Sequence, residues 1–217
     1  MTEGDARMTA TTTAALLPLP ILQGERCLLR PVVPGDAPAL LRHADNPNVS
    51  RNLFEGFPSP YRAEHAQAWC EREANSGAFG YVWAIEADGA LVGCASLVPH
   101  DGPGNRCNAE TGYWVGDSHW RRGIASDALR QIVDWGFAVL PRITRIYAPI
   151  YARNDASQGV ARKCGFVREG VQKQAIIKSG EVIDLTIWAT YRTDIARRAA
   201  NIDAALAITA GIAMERS

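Results

Sequence analysis

Hydrophobic positions recur along this chain with two periods, and the two periods separate predicted helices from predicted strands. After Gly123, apolar residues return every three or four positions with polar residues between them. This spacing predicts an amphipathic helix that ends before Pro141. The apolar positions of this helix are Ile124, Ala128, Leu129, Ile132, Gly136 and Phe137. Shorter apolar runs, bounded by glycine, proline and asparagine, predict strands elsewhere.

The order of these elements predicts an α+β fold with one crossover helix and no internal repeat. One strand is followed by two helices, three strands, a helix, a strand, a helix and two final strands. The predicted strands cover residues 26–31, 79–85, 91–98, a segment that carries Glu110, 143–151, 166–177 and 182–191. The predicted helices cover residues 35–44, 63–74, the segment after Gly123, and 156–164.

Composition narrows the class of protein. The 217 residues suit one domain with extensions, and 47% apolar residues can form a substantial core. A formal net charge of zero argues against a nucleic-acid coat and a polybasic membrane anchor. Since no run of about 18 apolar residues occurs, we expect no transmembrane helix. We expect a flexible leader over residues 1–22, one domain over residues 23–193 and a helical extension over residues 194–217.

Cysteine and histidine usage gives no sign of a metal or a disulfide framework. The five cysteines are odd in number, widely spaced and without a CxxC pair, and the four histidines are scattered. This pattern predicts reduced thiols, a cytoplasmic protein and no metal site.

The most informative segment is the turn that precedes the amphipathic helix, residues 120–126 (Trp-Arg-Arg-Gly-Ile-Ala-Ser). Backbone N–H groups in the first turn of a helix lack intrahelical partners, and the helix dipole adds roughly half a positive charge there. Gly123 lets the backbone approach an anion, and Arg121 and Arg122 add charge, so the turn suits a phosphate. A plain surface helix and a dinucleotide-binding unit remain alternatives on this segment alone.

Three segments resemble the GNAT acetyltransferases, and within them the ribosomal-protein N-terminal acetyltransferases of the RimJ/RimL type. The first is the strand of residues 109–115, and the second is the basic turn, which looks like the acetyl-CoA pyrophosphate loop of that family. The third combines residues 154–157 (Asn-Asp-Ala-Ser) with residues 163–167 (Lys-Cys-Gly-Phe-Val). The resemblance covers roughly residues 28–191 and weakens the dinucleotide alternative, because the glycines do not form GxGxxG.

The resemblance implies a three-layer α/β arrangement, with a mixed seven-stranded sheet flanked by helices, and acetyl-CoA as cofactor. It implies that the turn binds the pyrophosphate, that the strand end pairs with the pantetheine arm, and that Asn154 contacts the same arm. Asn154 is also a simple helix cap on its position alone. The cofactor-binding residues expected in this way are Trp114, Val115, Gly116, Arg121, Arg122, Gly123, Ile124, Ala125, Ser126 and Asn154.

The resemblance also implies direct acetyl transfer to an amine, with Glu110 as general base and Ser157 as general acid. Burial would raise the pKa of Glu110 and make it a better base near neutral pH. Many GNAT enzymes use a tyrosine as the acid at the position that is Ala161 here, so that route is closed. Each candidate has a structural alternative: a solvent-facing strand glutamate, and a first-turn serine bonded to the backbone. His119 is more simply a solvated neighbour of the turn.

In this interpretation, the acceptor is a primary amine, either a protein N-terminus or a small molecule. It would enter between the loop of residues 48–61 and the final hairpin. Phe54, Phe57 and Tyr61 are candidates for an apolar slot, and Asp184, Glu55 or Glu181 for attracting a cationic amine. A non-catalytic acetyl-CoA-binding module, another acyl-CoA donor and a different phosphorylated ligand are the competing hypotheses. We expect no nucleic acid and no membrane as partner, and the sequence leaves a homodimer open.

Overall fold

The computed structural model describes residues 18–76 and 80–194, which form one mixed sheet with helices on both faces. Within these ranges the sheet has eight strands. They are β1 (Leu22–Gln23), β2 (Leu28–Pro31), β3 (Tyr81–Ala87), β4 (Ala90–Pro99), β5 (Asn108–Val115), β6 (Arg145–Tyr151), β7 (Val167–Lys178) and β8 (Glu181–Tyr191). The α-helices are α1 (Ala37–Ala44), α2 (Pro47–Ser50), α3 (Ala63–Ser76), α4 (Ile124–Val139) and α5 (Asp155–Lys163).

The strand order is β1-β2-β3-β4-β5-β6-β8-β7. Neighbouring strands are antiparallel except β5 and β6, which are parallel and are joined by the crossover through α4. The predicted mixed sheet is therefore confirmed, with one strand more than the seven expected. The additional strand is β1, whose two residues pair with Leu28 and Leu29.

Two apolar layers hold the helices to the sheet. Leu129 and Ile132 of α4 pack with Trp83, Leu97 and Ile146 on one face of the sheet. On the other face, α1 and α3 pack against β3 and β4 through a second set of buried residues: Leu40, Ala66, Cys70, Ala84, Leu91 and Cys94. The central strands β3 and β4 are accordingly buried on both faces, as expected of a sheet between two helical layers.

Most predicted boundaries lie within two residues of the observed ones. One difference is α2, a single helical turn between the predicted helices of residues 35–44 and 63–74, where no helix was predicted. The Asn46 side chain accepts a hydrogen bond from the Asn48 N–H (2.9 Å), and Pro47 takes the first helical position, so both residues begin a helix here.

The two expected extensions lie largely outside the described residues, which start at 18 and end at 194. The end of the expected leader is described: the Pro20 carbonyl accepts a hydrogen bond from Trp83 Nε1 (3.0 Å), and Leu22 begins β1. All five cysteines are free thiols, and four of them are buried. No helix in the described ranges combines the length and hydropathy that a membrane-spanning segment needs.

Candidate active site

The parallel pair β5–β6 separates part of the way along its length. Its register ends at Glu110 opposite Tyr147, although β5 continues to Val115 and β6 to Tyr151. We call the gap between residues 111–115 and residues 148–151 the split. Facing strand edges that are not paired with each other can accept an extended ligand through backbone hydrogen bonds.

The backbone of β5 divides its hydrogen bonds between β4 and the split. The Gly116 N–H donates to the Val92 carbonyl (2.8 Å), so the alternation of an antiparallel pair turns Val115 toward the split and Trp114 toward β4. The Val115 carbonyl already accepts from Trp120 Nε1 (2.7 Å). Of Trp114, Val115 and Gly116, only Val115 therefore turns its backbone groups toward the split.

Beyond the end of β5, the chain turns sharply to begin α4. Arg121 and Gly123 both adopt left-handed backbone conformations, with φ of 61° and 80°. Gly123 is the N-cap of α4, and Ile124, Ala125 and Ser126 form its first turn. A glycine carries this conformation without strain and leaves the N–H groups of the first turn accessible to an anion. The predicted turn thus has the geometry of an anion site.

A cavity of about 650 Å³ lies at the same point, and we call it the anion pocket. Its lining carries five cationic side chains and two acidic ones: Arg26, Arg121, Arg122, Arg130 and Lys163 against Glu25 and Asp127. Gly123, Ile124 and Ser126 complete the wall. The excess of cations and the helix start both favour a phosphorylated ligand.

Three of these cations, Arg26, Arg130 and Lys163, were not among the predicted residues. Arg130 lies one helical turn after Ser126 and donates to its carbonyl (3.2 Å), so helical spacing could have indicated it. Arg26 reaches the pocket because the buried Asp127 carboxylate accepts from the Arg26 N–H (2.8 Å) and the Cys27 N–H (3.1 Å). No local pattern indicates a contact between residues about 100 positions apart in the chain.

Arg122 is committed to an ion pair. Its guanidinium donates to both oxygens of Asp88, at 2.7 and 3.1 Å, and holds the pKa of that carboxyl below its usual value. His119 also lies 3.6 Å from Asp88 and 5.2 Å, ring to ring, from the buried His43. His119 therefore belongs to this cluster, and with a side chain only 16% exposed it is less solvated than the simpler interpretation expected.

Glu110 lies at the closed end of the split, on the last residue pair that joins β5 to β6. It is half-buried rather than buried. Its Oε2 accepts a hydrogen bond from the Tyr147 hydroxyl (2.9 Å), and its Oε1 accepts none within the described part of the chain. Val115 lies five positions after Glu110, a distance of about 17 Å along an extended strand. A carboxylate and an anion pocket thus lie toward opposite ends of one gap.

Ser157 lies in the first turn of α5. Asn154 caps this helix by accepting from the Ser157 N–H (3.2 Å), so the capping role of Asn154 is present in the structure. The Ser157 carbonyl accepts from the Tyr113 hydroxyl (3.1 Å), which joins β5 to α5. Ala161, a residue of α5, is fully buried in the core.

The loop of residues 51–61 and the β7–β8 hairpin face each other, and we call this region the acceptor entrance. The Phe54 carbonyl accepts from the buried Lys178 Nζ (3.1 Å), and Glu55 accepts from the Ser179 N–H (2.9 Å). Arg153, which follows β6, forms an ion pair with Glu181. The loop and the hairpin are therefore in direct contact.

The predicted aromatic residues lie together in this loop. Phe57 stacks on Tyr61 at 5.0 Å between ring centres and contacts Phe54 at 6.0 Å and Trp114 at 6.3 Å. Phe54 is 66% exposed, whereas Tyr61 is only 5% exposed and packs into the α1–α3 core. Asp184 is occupied: its carboxylate accepts from Lys173 Nζ and from the Gln174 N–H, both at 2.8 Å.

A split parallel pair and a cationic helix start together suit an extended phosphorylated ligand. The Glu110 carboxylate, a basic group of the protein, lies at the end of the split opposite the cations. A family model described as the acetyltransferase (GNAT) domain matches residues 26–167. The chain therefore belongs to the GNAT acetyltransferase family. It is an N-acetyltransferase with acetyl-CoA as its acetyl donor, as the resemblance implied.

Individual relatives agree with this assignment. The uncharacterized N-acetyltransferase YoaA of Bacillus subtilis is 29% identical over 175 residues, which cover 80% of this chain and 97% of that protein. The L-amino acid N-acetyltransferase AaaT of Escherichia coli is 30% identical over 134 residues, which cover 61% and 80%. Among solved structures, Mycobacterium smegmatis RimJ in complex with CoA-disulfide has a TM-score of 0.70 at 26% identity, covering 81% of this chain and 88% of that one.

Proposed function

We propose that this enzyme acetylates the α-amino group of an amino acid or of a peptide N-terminus, with Glu110 as general base. The observation that supports this most strongly is the split, because it joins the anion pocket at one end to Glu110 at the other. A donor held along that gap would present its reacting end to the carboxylate.

The residues present fit the donor. Diphosphate oxygens would accept from the N–H groups of the first turn of α4, with Arg121, Arg130 and Lys163 supplying charge. An extended arm would lie in the split beside the outward-facing backbone of β5. Acetyl-CoA supplies an acetyl group activated as a thioester, so the protein needs no covalent nucleophile. The four buried cysteines are accordingly given no catalytic role.

Glu110 would remove the proton that an amine must lose before it can attack. One of its oxygens is held by Tyr147 and the other accepts no hydrogen bond among the described residues, so Oε1 is the atom assigned to the proton. The proton leaves the nitrogen, the electron pair stays there, and Glu110 takes the proton directly or through one water.

Ser157 would donate a hydrogen bond to the sulfur that leaves as the thioester breaks. Its place in the first turn of α5 adds the positive end of a helix dipole, which favours developing negative charge. The helix cap by Asn154 and the bond from Tyr113 fix the backbone of Ser157 on two sides.

The proposed acceptor rests on two observations. AaaT is named for an L-amino acid, and another Escherichia coli relative is named a ribosomal-protein-serine acetyltransferase, and an amino acid and a protein N-terminus both present an α-amino group. The aromatic group around Phe57 and Trp114 offers an apolar wall for the adjoining side chain. The free thiols fit the cytoplasmic location that we also propose.

Two measurements test the proposal. Calorimetric titration should show acetyl-CoA binding, with ATP and NAD as controls that bind far more weakly. Release of free CoA should then be followed with free L-amino acids and with short peptides that have unblocked N-termini. Turnover with the peptides alone, or with the amino acids alone, would separate the two acceptor classes. Turnover only with amines that lack an adjoining carbonyl would contradict the proposed acceptor, and faster reaction with a longer acyl-CoA would change the donor.

A further inference from the structure

A series of three hydrogen bonds runs from an exposed loop to Glu110. Asn105 Nδ2 lies 3.1 Å from His100 Nδ1, and His100 Nε2 lies 3.1 Å from the Tyr147 hydroxyl. The Tyr147 hydroxyl lies 2.9 Å from Glu110 Oε2. His100 directly follows β4, and Asn105 lies in the loop that leads to β5. The series therefore connects two strands and their connecting loop at the closed end of the split.

The chemistry of these groups gives the series a direction. The amide nitrogen of Asn105 can only donate, so His100 Nδ1 accepts. A neutral imidazole that accepts on one nitrogen carries its proton on the other, and His100 Nε2 therefore donates to the Tyr147 oxygen. With that lone pair occupied, the Tyr147 proton points to the remaining partner, Glu110 Oε2.

The surroundings of Tyr147 hold the phenol in its neutral form. The charged and titratable groups that face it are Glu110 on β5, His100 on the β4–β5 loop and Arg145 on its own strand. Arg145 lies 4.5 Å from the ring centre, and its charge is shared with Glu169 of β7. Burial, followed by the Glu110 charge, raises the pKa of Tyr147 to about 12. The hydroxyl therefore keeps the proton that it donates.

We propose that Tyr147 is a positioning residue for the general base, and that His100 sets the direction of its hydroxyl. This inference rests on the proposed role of Glu110. Tyr147 occupies Oε2, so that Oε1 is left to receive the proton of the amine. Neither Tyr147 nor His100 needs to touch the acceptor for this effect.

The first test is kinetic and uses Tyr147→Phe, which removes the hydroxyl and keeps the ring beneath Arg145. The kcat should fall about tenfold, the loss of one hydrogen bond to a charged group, with little change in KM for either substrate. Tyr191→Phe is the matched control, because Tyr191 also donates to a carboxylate, that of Glu169, and should behave as the unmodified enzyme. A kcat within twofold of the control, or a loss that appears in KM instead of kcat, overturns the proposal.

The second test is independent of turnover. In protein labelled with ¹⁵N-histidine, His100 should show the neutral tautomer with the proton on Nε2, and its signals should change in Tyr147→Phe but not in Tyr191→Phe. The opposite tautomer, or signals that do not respond to Tyr147→Phe, overturns the proposal. If the unmodified protein binds acetyl-CoA but acetylates no amine, the proposed function fails, and the histidine signals alone decide the arrangement around Tyr147.

Discussion

The anion pocket and the acceptor entrance lie beside the same sheet but differ in the chemical groups that form them. The anion pocket uses backbone N–H groups at the start of α4 and an excess of cations around them. The acceptor entrance consists of side chains from a loop and a hairpin, and it contains two ion pairs: Lys173 with Asp184, and Arg153 with Glu181. The core of the anion pocket thus follows from local backbone geometry, with Arg26 and Lys163 added from other segments, whereas the acceptor entrance depends throughout on contacts between distant segments.

The largest expected effect comes from Glu110, at the closed end of the split. Glu110→Gln should lower kcat by about a hundredfold to ten-thousandfold, because it removes the proton acceptor but keeps the size and shape of the side chain. Calorimetry should give an unchanged acetyl-CoA affinity, since the anion pocket lies at the other end of the split. An unaltered rate and pH profile would show that Glu110 is not the base.

The next largest effect is expected at Gly123. It tests whether the backbone at the start of α4 holds the ligand in the anion pocket. Gly123→Val should lower acetyl-CoA affinity at least about tenfold, because a branched side chain both strains this left-handed position and occupies the place of the anion. Gly180→Val is the matched control, since Gly180 has the same φ of 80° in the β7–β8 turn, away from the pocket. Equal affinities for the two variants in calorimetric titrations would contradict the placement of the ligand.

These two positions also show what the sequence could predict. The turn at residues 120–126 and Glu110 each belong to a short, continuous segment, so their roles follow from local patterns and from the resemblance. Arg26 and Tyr147 could not be found in this way. Arg26 depends on the long-range hydrogen bond that its N–H donates to Asp127, and Tyr147 depends on the strand register that sets it opposite Glu110. The long, clearly periodic elements of the fold were predictable for the same reason, whereas the two-residue strand β1 and the single turn α2 were not.

Lys163 tests how much the positive charge of the anion pocket contributes to acetyl-CoA affinity. Lys163→Met should weaken acetyl-CoA binding about fivefold at low salt, because it removes one of five cations from a solvent-accessible site. The difference should shrink as salt is raised. Lys173→Met, which removes a cation from the acceptor entrance, should leave the affinity unchanged. A loss that is independent of salt would indicate that Lys163 acts through packing instead.

Asp184 should have a small effect, although it was a candidate for attracting the amine. Because Lys173 and Gln174 already occupy its carboxylate, Asp184→Asn should change the KM for the amine by less than about twofold. Steady-state kinetics with the best acceptor would measure this. A tenfold rise in KM would show that Asp184 contacts the acceptor in spite of its hydrogen bonds to Lys173 and Gln174.

The smallest expected effect concerns stability on the donor side, where His43 packs against Gly116. Burial, with help from His119 and Arg42, lowers the pKa of His43. The unfolded chain then binds more protons than the folded one, so the stability contributed by neutral His43 is lost as pH falls through about 6.5. Lowering the pH from about 7.5 to about 5.5 should lower Tm by about 2 °C more in the unmodified protein than in His43→Gln. An identical pH dependence in both would exclude His43 as the source.

The most direct test of the account is hydrogen–deuterium exchange with and without acetyl-CoA. We expect slower amide exchange in residues 111–116 and 121–126 when acetyl-CoA is added, because these segments supply the backbone of the split and of the anion pocket. Exchange in the exposed strand β7 should stay the same. Slowing confined to β7 or to the loop of residues 51–61, with none at the start of α4, would contradict the claim that the donor is held by the split.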